Sequence, residues 1–475
     1  MNKYNVAIGI EMHCELTSNS KVFSNSKNEF NDLPNSNVNA IDMALPGILP
    51  IVNMECIKKA IKMALILNCK IPEYMYFDRK NYYYPDLPKG YQITQMHDPV
   101  GINGKIKIPY KDGTIDVLIH DIHLEEDTAS IDHYSDFSLI NYNRCGVPLL
   151  ELVTEPCFNN ADEVIAFLEY IRRCYQYAGI SDADTKMGQI RCDVNVSISE
   201  DNSNTLGTKV EMKGINTFQN IYNAINAEIE RQTKLKDQGR YDEVVQETRR
   251  YDEETNTTSR MRSKVDAVDY KYFVEPNIPK FRITSEFIND IKSTIPMMPI
   301  ERKNKYINEL GLSEYDANII IKDKDYADYF EKCINIGINP KIAANYLTVN
   351  IISYLNKTFE NINNFYLKPE YLKIIVDAMD EGKISSKQAK DIFNKSIEEK
   401  KNPKEYITND NAQISDKNEL ESIIDVILSN NHEQVEAYHN GKSNLFDFFV
   451  GQVMKETKGK ANPNIVKEIL KGKLN

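Results

Sequence analysis

Residues 7–16, AIGIEMHCEL, alternate cleanly between apolar and polar side chains. This period of two is typical of a β-strand, in which successive side chains point to opposite faces. One face carries Glu11, His13 and Glu15, an imidazole between two carboxylates. A carboxylate and a histidine two positions apart either share a metal ion or form the solvated face of an antiparallel sheet. The segment alone favours the solvated face.

Two later segments repeat the alternation, with acids placed among basic residues. Residues 190–199 and residues 209–213 each keep one apolar face, and their polar positions include Arg191, Asp193, Glu211 and Lys213. Acids and bases that recur on separate strands indicate a cradle for divalent metal ions and the phosphate tail of a nucleotide. Mg²⁺ suits such a site because oxygen ligands from separate strands provide octahedral geometry. A solvated sheet face is the alternative.

A further predicted strand ends in adjacent acids. Residues 115–127 read IDVLIHDIHLEED, and Glu125 and Glu126 must point to opposite faces unless a bulge intervenes. Glu126 shares its face with His120, and Glu125 shares its face with His123. The pattern does not decide which of the two faces is functional.

Residues 77–95, FDRKNYYYPDLPKGYQITQ, combine charges, three consecutive tyrosines, two prolines and a glycine. The prolines and Gly90 rule out a long helix, so we predict an extended, turning segment. The segment either lines a site for a phosphorylated or nucleic-acid ligand, or carries half-buried tyrosines and solvated charges.

Composition excludes several classes of protein. The chain has 475 residues, enough for two or three domains, and a net charge of −12, which argues against broad nucleic-acid binding. It contains no apolar run of the roughly 20 residues that a membrane span requires, and its first residues lack the apolar core of a signal peptide. Its eight cysteines form no CxxC pair, so we expect reduced thiols and a cytoplasmic location. No P-loop motif occurs.

The pattern along the chain predicts three domains. Residues 294–299, TIPMMP, mark the end of the strand-rich part, and residues 402–413 read as a polar linker between helical segments. We therefore predict domains at 1–293, 294–405 and 406–475. The last of these is rich in lysine, namely Lys455, Lys458, Lys460, Lys467, Lys471 and Lys473.

Long motifs of the chain resemble the B subunits of tRNA-dependent amidotransferases. They include GIEMHCEL, FDRKNYYYPDLPKGYQITQ, IHLEED, NYNRCGVPLLELVTEP, GQIRCDVNVSI, MRSKVDAVDYKYFVEP and GQVMKETKGKANPNIV. These motifs follow the order of the family and cover nearly the whole chain. The resemblance implies an α+β protein. It would have a mixed or antiparallel cradle domain related to the glutamine synthetase catalytic fold, an all-α domain and a small helical tail domain that contacts tRNA.

The resemblance also implies an activity and partners. The family converts misacylated Glu-tRNA(Gln) or Asp-tRNA(Asn) to the amidated form by phosphorylating the side-chain carboxyl with ATP and Mg²⁺. Ammonia then displaces the phosphate. It comes from a separate glutaminase subunit of the amidase type, and a small third subunit holds the heterotrimeric complex together.

Carried over by motif, the resemblance assigns roles to individual residues. The expected metal ligands are Glu11, His13, Glu126 and Glu151. The expected cofactor-binding residues are Arg79, Asp193 and Glu211, and the expected catalytic residues are Lys80, Glu126, Arg191 and Lys213. Lys80 would lie where ammonia arrives. The chain departs from the family pattern at Cys157 and Gly214.

Two other functions compete with this interpretation. One is a stand-alone ligase of the glutamine synthetase type that acts on a free small acid, and the other is a non-catalytic scaffold that binds tRNA. The helical domain and the lysine-rich tail disfavour the first, because a free amino acid does not require them.

Overall fold

The computed structural model describes residues 3–30, 33–200, 205–263, 269–407, 417–457 and 459–474. Lys458 of the tail and residues 408–413 of the predicted linker lie outside these ranges. The chain divides into two compact units, Met1–Pro299 and Ile300–Asn475. Within the described ranges, no helix combines the length and the apolar character that a membrane span requires.

The first unit combines a large sheet with a few helices. Its strands are β1 (Asn5–Glu15), β2 (Tyr74–Met75), β3 (Asp78–Asn81), β4 (Tyr91–Thr94), β5 (Gly101–Tyr110), β6 (Gly113–Glu126), β7 (Ser130–His133), β8 (Ser138–Asn141), β9 (Pro148–Thr154), β10 (Ile190–Ser199), β11 (Val210–Ile215), β12 (Glu247–Asp252), β13 (Thr257–Ser263), β14 (Phe273–Val274) and β15 (Phe281–Arg282). Its helices are α1 (Met54–Ile66), α2 (Ala161–Tyr177), α3 (Phe218–Asp237) and α4 (Ser285–Ser293).

The main sheet has eight strands in the order β13-β12-β11-β10-β1-β9-β6-β5. The pairs are antiparallel except β11 with β12, which is parallel, so the sheet is mixed. The apolar side chains of β1, such as Ile10 and Met12, are fully buried. Helices α1, α2 and α3 pack against this side of the sheet. The alternation therefore leaves the polar side chains of the central strands together on the opposite face.

Residues 77–95 form the antiparallel strands β3 and β4, joined by a turn that contains both prolines. The predicted extended, turning segment is confirmed. A short strand, β14, pairs with β3, so these strands form a separate three-stranded sheet.

The described part of the second unit is helical. Its helices are α5 (Pro299–Asn308), α6 (Glu314–Ile320), α7 (Lys324–Asn335), α8 (Pro340–Asn345), α9 (Ile352–Thr358), α10 (Pro369–Asp380), α11 (Ser386–Glu399), α12 (Lys417–Asn430), α13 (His432–His439), α14 (Leu445–Glu456) and α15 (Pro463–Leu474). A six-residue π-helix, Tyr346–Ile351, connects α8 to α9. Helices α12 to α15 surround a core of their own that includes Leu420, Ile424, Phe449, Val453, Val466 and Leu470. The α+β class is confirmed, whereas the three domain limits stay predictions.

Candidate cation and phosphate site

Strand register aligns residues from four neighbouring strands in two rows on one face, and all of them except Val153 are polar. The first row contains His123, Glu151, His13 and Arg191, each directly opposite the next. The second row contains Asp121, Val153, Glu11 and Asp193. Directly opposed side chains lie about 5 Å apart at Cβ, so acids and imidazoles that are distant in sequence become neighbours.

The first cluster of possible cation ligands consists of His13, Glu125 and Glu151. Their ligand atoms all lie within 4.8 Å of one another. His13 Nε2 is 3.2 Å from Glu151 Oε2 and 3.5 Å from Glu125 Oε1. An imidazole and two carboxylates that converge in this way form a plausible ligand set for a divalent cation. We call these three residues the first set.

His123 borders the first set, although the sequence did not identify it as a site residue. Its Nδ1 is 2.7 Å from Asp121 Oδ1, and its Nε2 is 3.0 Å from Glu151 Oε2. A carboxylate that orients the second nitrogen of a histidine is usual around metal-binding imidazoles. His123 could have been identified from the sequence because it shares a strand face with Glu125.

Electrostatics link the members of the first set. Burial opposes a charged imidazole, but the hydrogen bond and charge of Glu151 raise the pKa of His13 to about 9. Burial likewise disfavours a charged Glu151, yet His123 and His13 hold its pKa well below the ordinary value. Burial and the charge of Glu151 raise the pKa of Glu125, and His13, His123 and Lys80 oppose that rise. The two imidazoles and the Glu151 carboxylate thus favour one another's charged forms.

The second cluster, called the second set, consists of Glu11, Asp193 and Glu211, also with ligand atoms within 4.8 Å. Lys213 Nζ lies 2.8 Å from Asp193 Oδ2 and 3.2 Å from Glu211 Oε1. Asn195 donates a hydrogen bond of 2.9 Å from its Nδ2 to Glu11 Oε1. Burial raises the pKa of Glu11, and the Asn195 hydrogen bond opposes that rise. The ammonium of Lys213 thus neutralises part of an acidic cluster.

The prediction that Glu126 lies with Glu11, His13 and Glu151 is corrected by the structure. Strand β6 stays in regular register with β9 from Asp121 to Glu126, so no bulge brings both acids to one face. Glu125 faces the first set. Glu126 is 2% exposed on the helix-covered side, where Lys89 Nζ contacts both of its oxygens, at 2.6 and 2.5 Å.

The predicted basic residues have different surroundings. Arg191 Nη2 and Arg144 Nε lie 3.0 and 2.9 Å from the same oxygen of Asp127, Oδ2. Arg79 forms a two-point ion pair with Glu275, at 2.5 and 3.0 Å, and its guanidinium carbon lies 4.1 Å from the centre of the Tyr91 ring. Arg79 is therefore engaged elsewhere and is not part of either set.

Lys80 lies against two tyrosine rings. Its ammonium is 5.7 Å from the ring centre of Tyr82 and 5.0 Å from that of Tyr270. Its charge opposes the rise in the pKa of Glu125 that burial causes. The structure thus places the Lys80 ammonium against an aromatic pair, and its predicted catalytic role stays a prediction.

Two clefts in the first unit contain two of the expected catalytic residues, Arg191 and Lys213. The first, of about 600 Å³, is lined by residues that include Glu15, Asn143, Arg144, Asp182, Met187 and Arg191. The second, of about 630 Å³, is lined by residues that include Lys213, Gly214, Thr217 and Arg250. Gly214 has φ = +70°, and its N–H donates to Asp193 Oδ1 at 3.0 Å. Glycine suits this left-handed position because it has no Cβ.

Comparison with known proteins agrees with this architecture. A family model described as the GatB/GatE catalytic domain matches residues 6–289. The chain belongs to this family. A second family model, described as the GatB domain, matches residues 328–474. The family resemblance predicted from the motifs is therefore confirmed.

Curated relatives match over essentially their full length, and each is named as the B subunit of an aspartyl/glutamyl-tRNA(Asn/Gln) amidotransferase. The relative from Persephonella marina is 42% identical over 470 residues, covering 98% of this chain and 99% of the relative. The relative from Carboxydothermus hydrogenoformans is 40% identical, covering 100% of this chain and 99% of the relative. The relative from Rickettsia rickettsii strain Sheila Smith is 41% identical, covering 99% and 98%.

Proposed function

We propose that this chain is the subunit of a tRNA-dependent amidotransferase that activates the side-chain carboxyl of misacylated Glu-tRNA(Gln) or Asp-tRNA(Asn). The observation that carries the proposal is the convergence of two acidic sets on one sheet face, next to clefts that contain Arg191 and Lys213. Acidic sets suit divalent cations, and neighbouring bases suit phosphate oxygens. Phosphoryl transfer requires both.

The residues present fit Mg²⁺. The first set would hold one ion through His13, Glu125 and Glu151, and the second set would hold another through Glu11, Asp193 and Glu211. Asn195 Oδ1 is buried beside the second set without a hydrogen-bond partner among the described residues, so an oxygen ligand is available there. When bound, Mg²⁺ would neutralise charge on the transferring phosphoryl group. Lys213 would then be released from Asp193 and Glu211 to contact phosphate.

The proposed chemistry overcomes the low reactivity of a carboxylate. An oxygen of the substrate carboxylate attacks the γ-phosphorus of ATP, the bond to the ADP oxygen breaks, and an acyl phosphate forms. Ammonia attacks the acyl carbon, the C–O bond to phosphate breaks with its electron pair on oxygen, and the nitrogen releases its extra proton. Arg191, Lys213 and Lys80 supply positive charge where the oxygens become more negative.

The proposal includes partners and a location. The names of the relatives describe one subunit of a larger enzyme that acts on aminoacyl-tRNA. We assign to this chain three partners: a glutaminase subunit of the amidase type as the ammonia source, a small third subunit, and misacylated tRNA. The described lysines of the last helices would contact the tRNA backbone.

We place the chain in the cytoplasm, where all eight of its cysteines would stay free thiols, as they are here.

The test is Glu125→Gln in the complex reconstituted with the glutaminase and the small third subunit. We expect glutaminase activity to persist and ATP-dependent amidation of Glu-tRNA(Gln) to fall at least about 100-fold, since a cation ligand contributes several kcal/mol to charge stabilisation. Asp116→Asn, an exposed acid on the same strand, is the matched control and should amidate normally. Full amidation by Glu125→Gln would instead favour the scaffold function.

A further inference from the structure

Strand β12 carries two consecutive arginines whose surroundings differ. Arg249 donates from Nη1 to Glu247 Oε1 at 2.6 Å and from Nε to Thr258 Oγ1 at 2.8 Å. Its Nε also lies 3.6 Å from Oε2 of Glu228, a residue of helix α3. Both glutamates are buried. The guanidinium of Arg249 therefore helps to compensate two buried carboxylates on the helix-covered side of the sheet.

Arg250 lies on the opposite face of β12. Successive side chains of a strand alternate, and Thr248, two positions earlier, donates from Oγ1 to Glu211 Oε2 of the second set at 2.9 Å. The pairing of β12 with β13 skips Met261, so the extra residue belongs to β13 and the alternation along β12 is undisturbed. Arg250 is exposed, and it has no hydrogen bond or ion pair with another of the residues that the structure describes.

Arg250 and Lys213 line the same cleft, of about 630 Å³. Strands β11 and β12 are parallel neighbours, and their register places Met212 beside Arg249. Lys213 and Arg250 are the next residues along these two strands. An ammonium and a guanidinium from neighbouring strands are therefore directed into one cavity, and the ammonium also contacts the second set.

The charges of this cleft differ in how far they are compensated. Lys213 lies between two acids of the second set. Glu253, an acid in the lining, accepts a hydrogen bond from Asn220 Nδ2 at 2.5 Å. Arg250 has no such partner among the described residues, and like charges side by side on neighbouring strands destabilise a sheet. The arrangement suits an anion with several oxygens, which would bridge the guanidinium and the ammonium.

We propose that Arg250 is a phosphate-binding residue which, together with Lys213, holds consecutive phosphoryl groups in this cleft. A guanidinium fork matches the geometry of phosphate oxygens. The place of this contact in the reaction rests on the proposed function, because the second set beside Lys213 would hold the cation that accompanies such a chain of phosphates. The same phosphate chemistry is offered by the triphosphate of ATP and by the backbone of bound tRNA. Arg249, by contrast, serves the fold.

The first test measures the binding of inorganic tripolyphosphate to the reconstituted complex by isothermal titration calorimetry. We expect Arg250→Met to weaken binding at least about tenfold, since a charge-assisted contact is lost, and Arg250→Lys to weaken it less. Arg240→Met, which removes an exposed arginine from its pair with Glu243 in the same unit, is the matched control and should bind as the wild type does. Equal affinities of Arg250→Met and the wild type would overturn the proposal.

The second test distinguishes the two sources of phosphate by steady-state amidation. A rise of about tenfold in the KM for ATP in Arg250→Met, with the KM for Glu-tRNA(Gln) unchanged, would support the proposal and identify the nucleotide. A rise confined to the KM for the tRNA would support it and identify the RNA backbone. Unchanged KM values for both substrates would overturn it. If the wild-type complex does not amidate, the proposed function fails, and the tripolyphosphate titration still decides the role of Arg250.

The two neighbouring arginines also provide a control for a purely structural role. Arg249→Met should lower the midpoint of denaturant unfolding, since it deprives Glu228 and Glu247 of a cation. Arg250→Met should leave the midpoint unchanged, because this side chain is exposed and serves no buried acid. A loss of stability in Arg250→Met as large as that in Arg249→Met would overturn the proposal, because both guanidinium groups would then serve the fold.

Discussion

His13 and Glu151 face each other across β1 and β9, with Nε2 and Oε2 3.2 Å apart. The same carboxylate oxygen is 3.0 Å from Nε2 of His123. Glu151 therefore joins an imidazole from each neighbouring strand, and its pKa lies well below the ordinary value because both imidazoles favour its charged form over the opposing effect of burial. A residue with these contacts is the natural centre of the first set.

Glu151→Gln should therefore weaken cation binding at the first set more than the loss of one ion pair would. We expect Mn²⁺ affinity at this set to fall at least about tenfold and amidation in the reconstituted complex at least about 100-fold, because the amide cannot supply an anionic ligand. Titration with Mn²⁺ and an amidation assay measure the two effects. Glutaminase activity is the internal control, and wild-type Mn²⁺ affinity in this variant would refute the ligand assignment.

Lys213→Met should affect cation binding and amidation in opposite directions. The ammonium contacts Asp193 and Glu211, so its removal should strengthen Mn²⁺ binding at the second set roughly tenfold. Amidation should nevertheless fall about 100-fold, since a charge that offsets the phosphoryl oxygens is lost. Lys213→Arg is the matched control and should retain part of the activity. Parallel losses of binding and activity would mean that Lys213 stabilises the second set instead.

The buried ion pair of Lys21 and Asp42 should be important for stability. Lys21 is fully buried, and its Nζ lies 3.4 Å from Asp42 Oδ2. Lys21→Met leaves the Asp42 carboxylate buried without its cation, so we expect the free energy of unfolding of the first unit to fall by about 3–5 kcal/mol. Denaturant titration measures this fall. Lys105→Met, in an exposed pair, should cost less than about 1 kcal/mol, and equal losses would contradict the burial argument.

The thiols should differ in reactivity. Burial raises the pKa of Cys14 and Cys174 to about 12, and it also raises the pKa of the half-buried Cys157. Because the thiolate is the nucleophile, alkylation of Cys157 by iodoacetamide should be fastest and should accelerate about tenfold per unit as pH rises towards its pKa. Cys14 should react only after denaturation. Peptide mass spectrometry measures the order in which the thiols are alkylated. Early labelling of Cys14 would contradict its burial in the core.

Much of the local structure could be predicted from the sequence. Alternation in residues 7–16 and 190–199 correctly predicted strands with one buried apolar face, because a period of two is a local property of the strand backbone. Helix starts are also set locally: the Ser313 side chain caps the N-terminus of α6, and Pro340 is the first residue of α8.

Only the tertiary structure decided which residues meet. The sequence by itself determined that Glu125 and Glu126 point to opposite faces of a regular strand, but the register of β6 with β9 excluded a bulge and decided that Glu125 joins His13 and Glu151. The same pairing places His123 beside Glu151. Glu126, on the opposite face of β6, contacts Lys89. Strand order and register are non-local, since they are set by packing between segments far apart in the chain, and alternation within one strand contains no information about its neighbours.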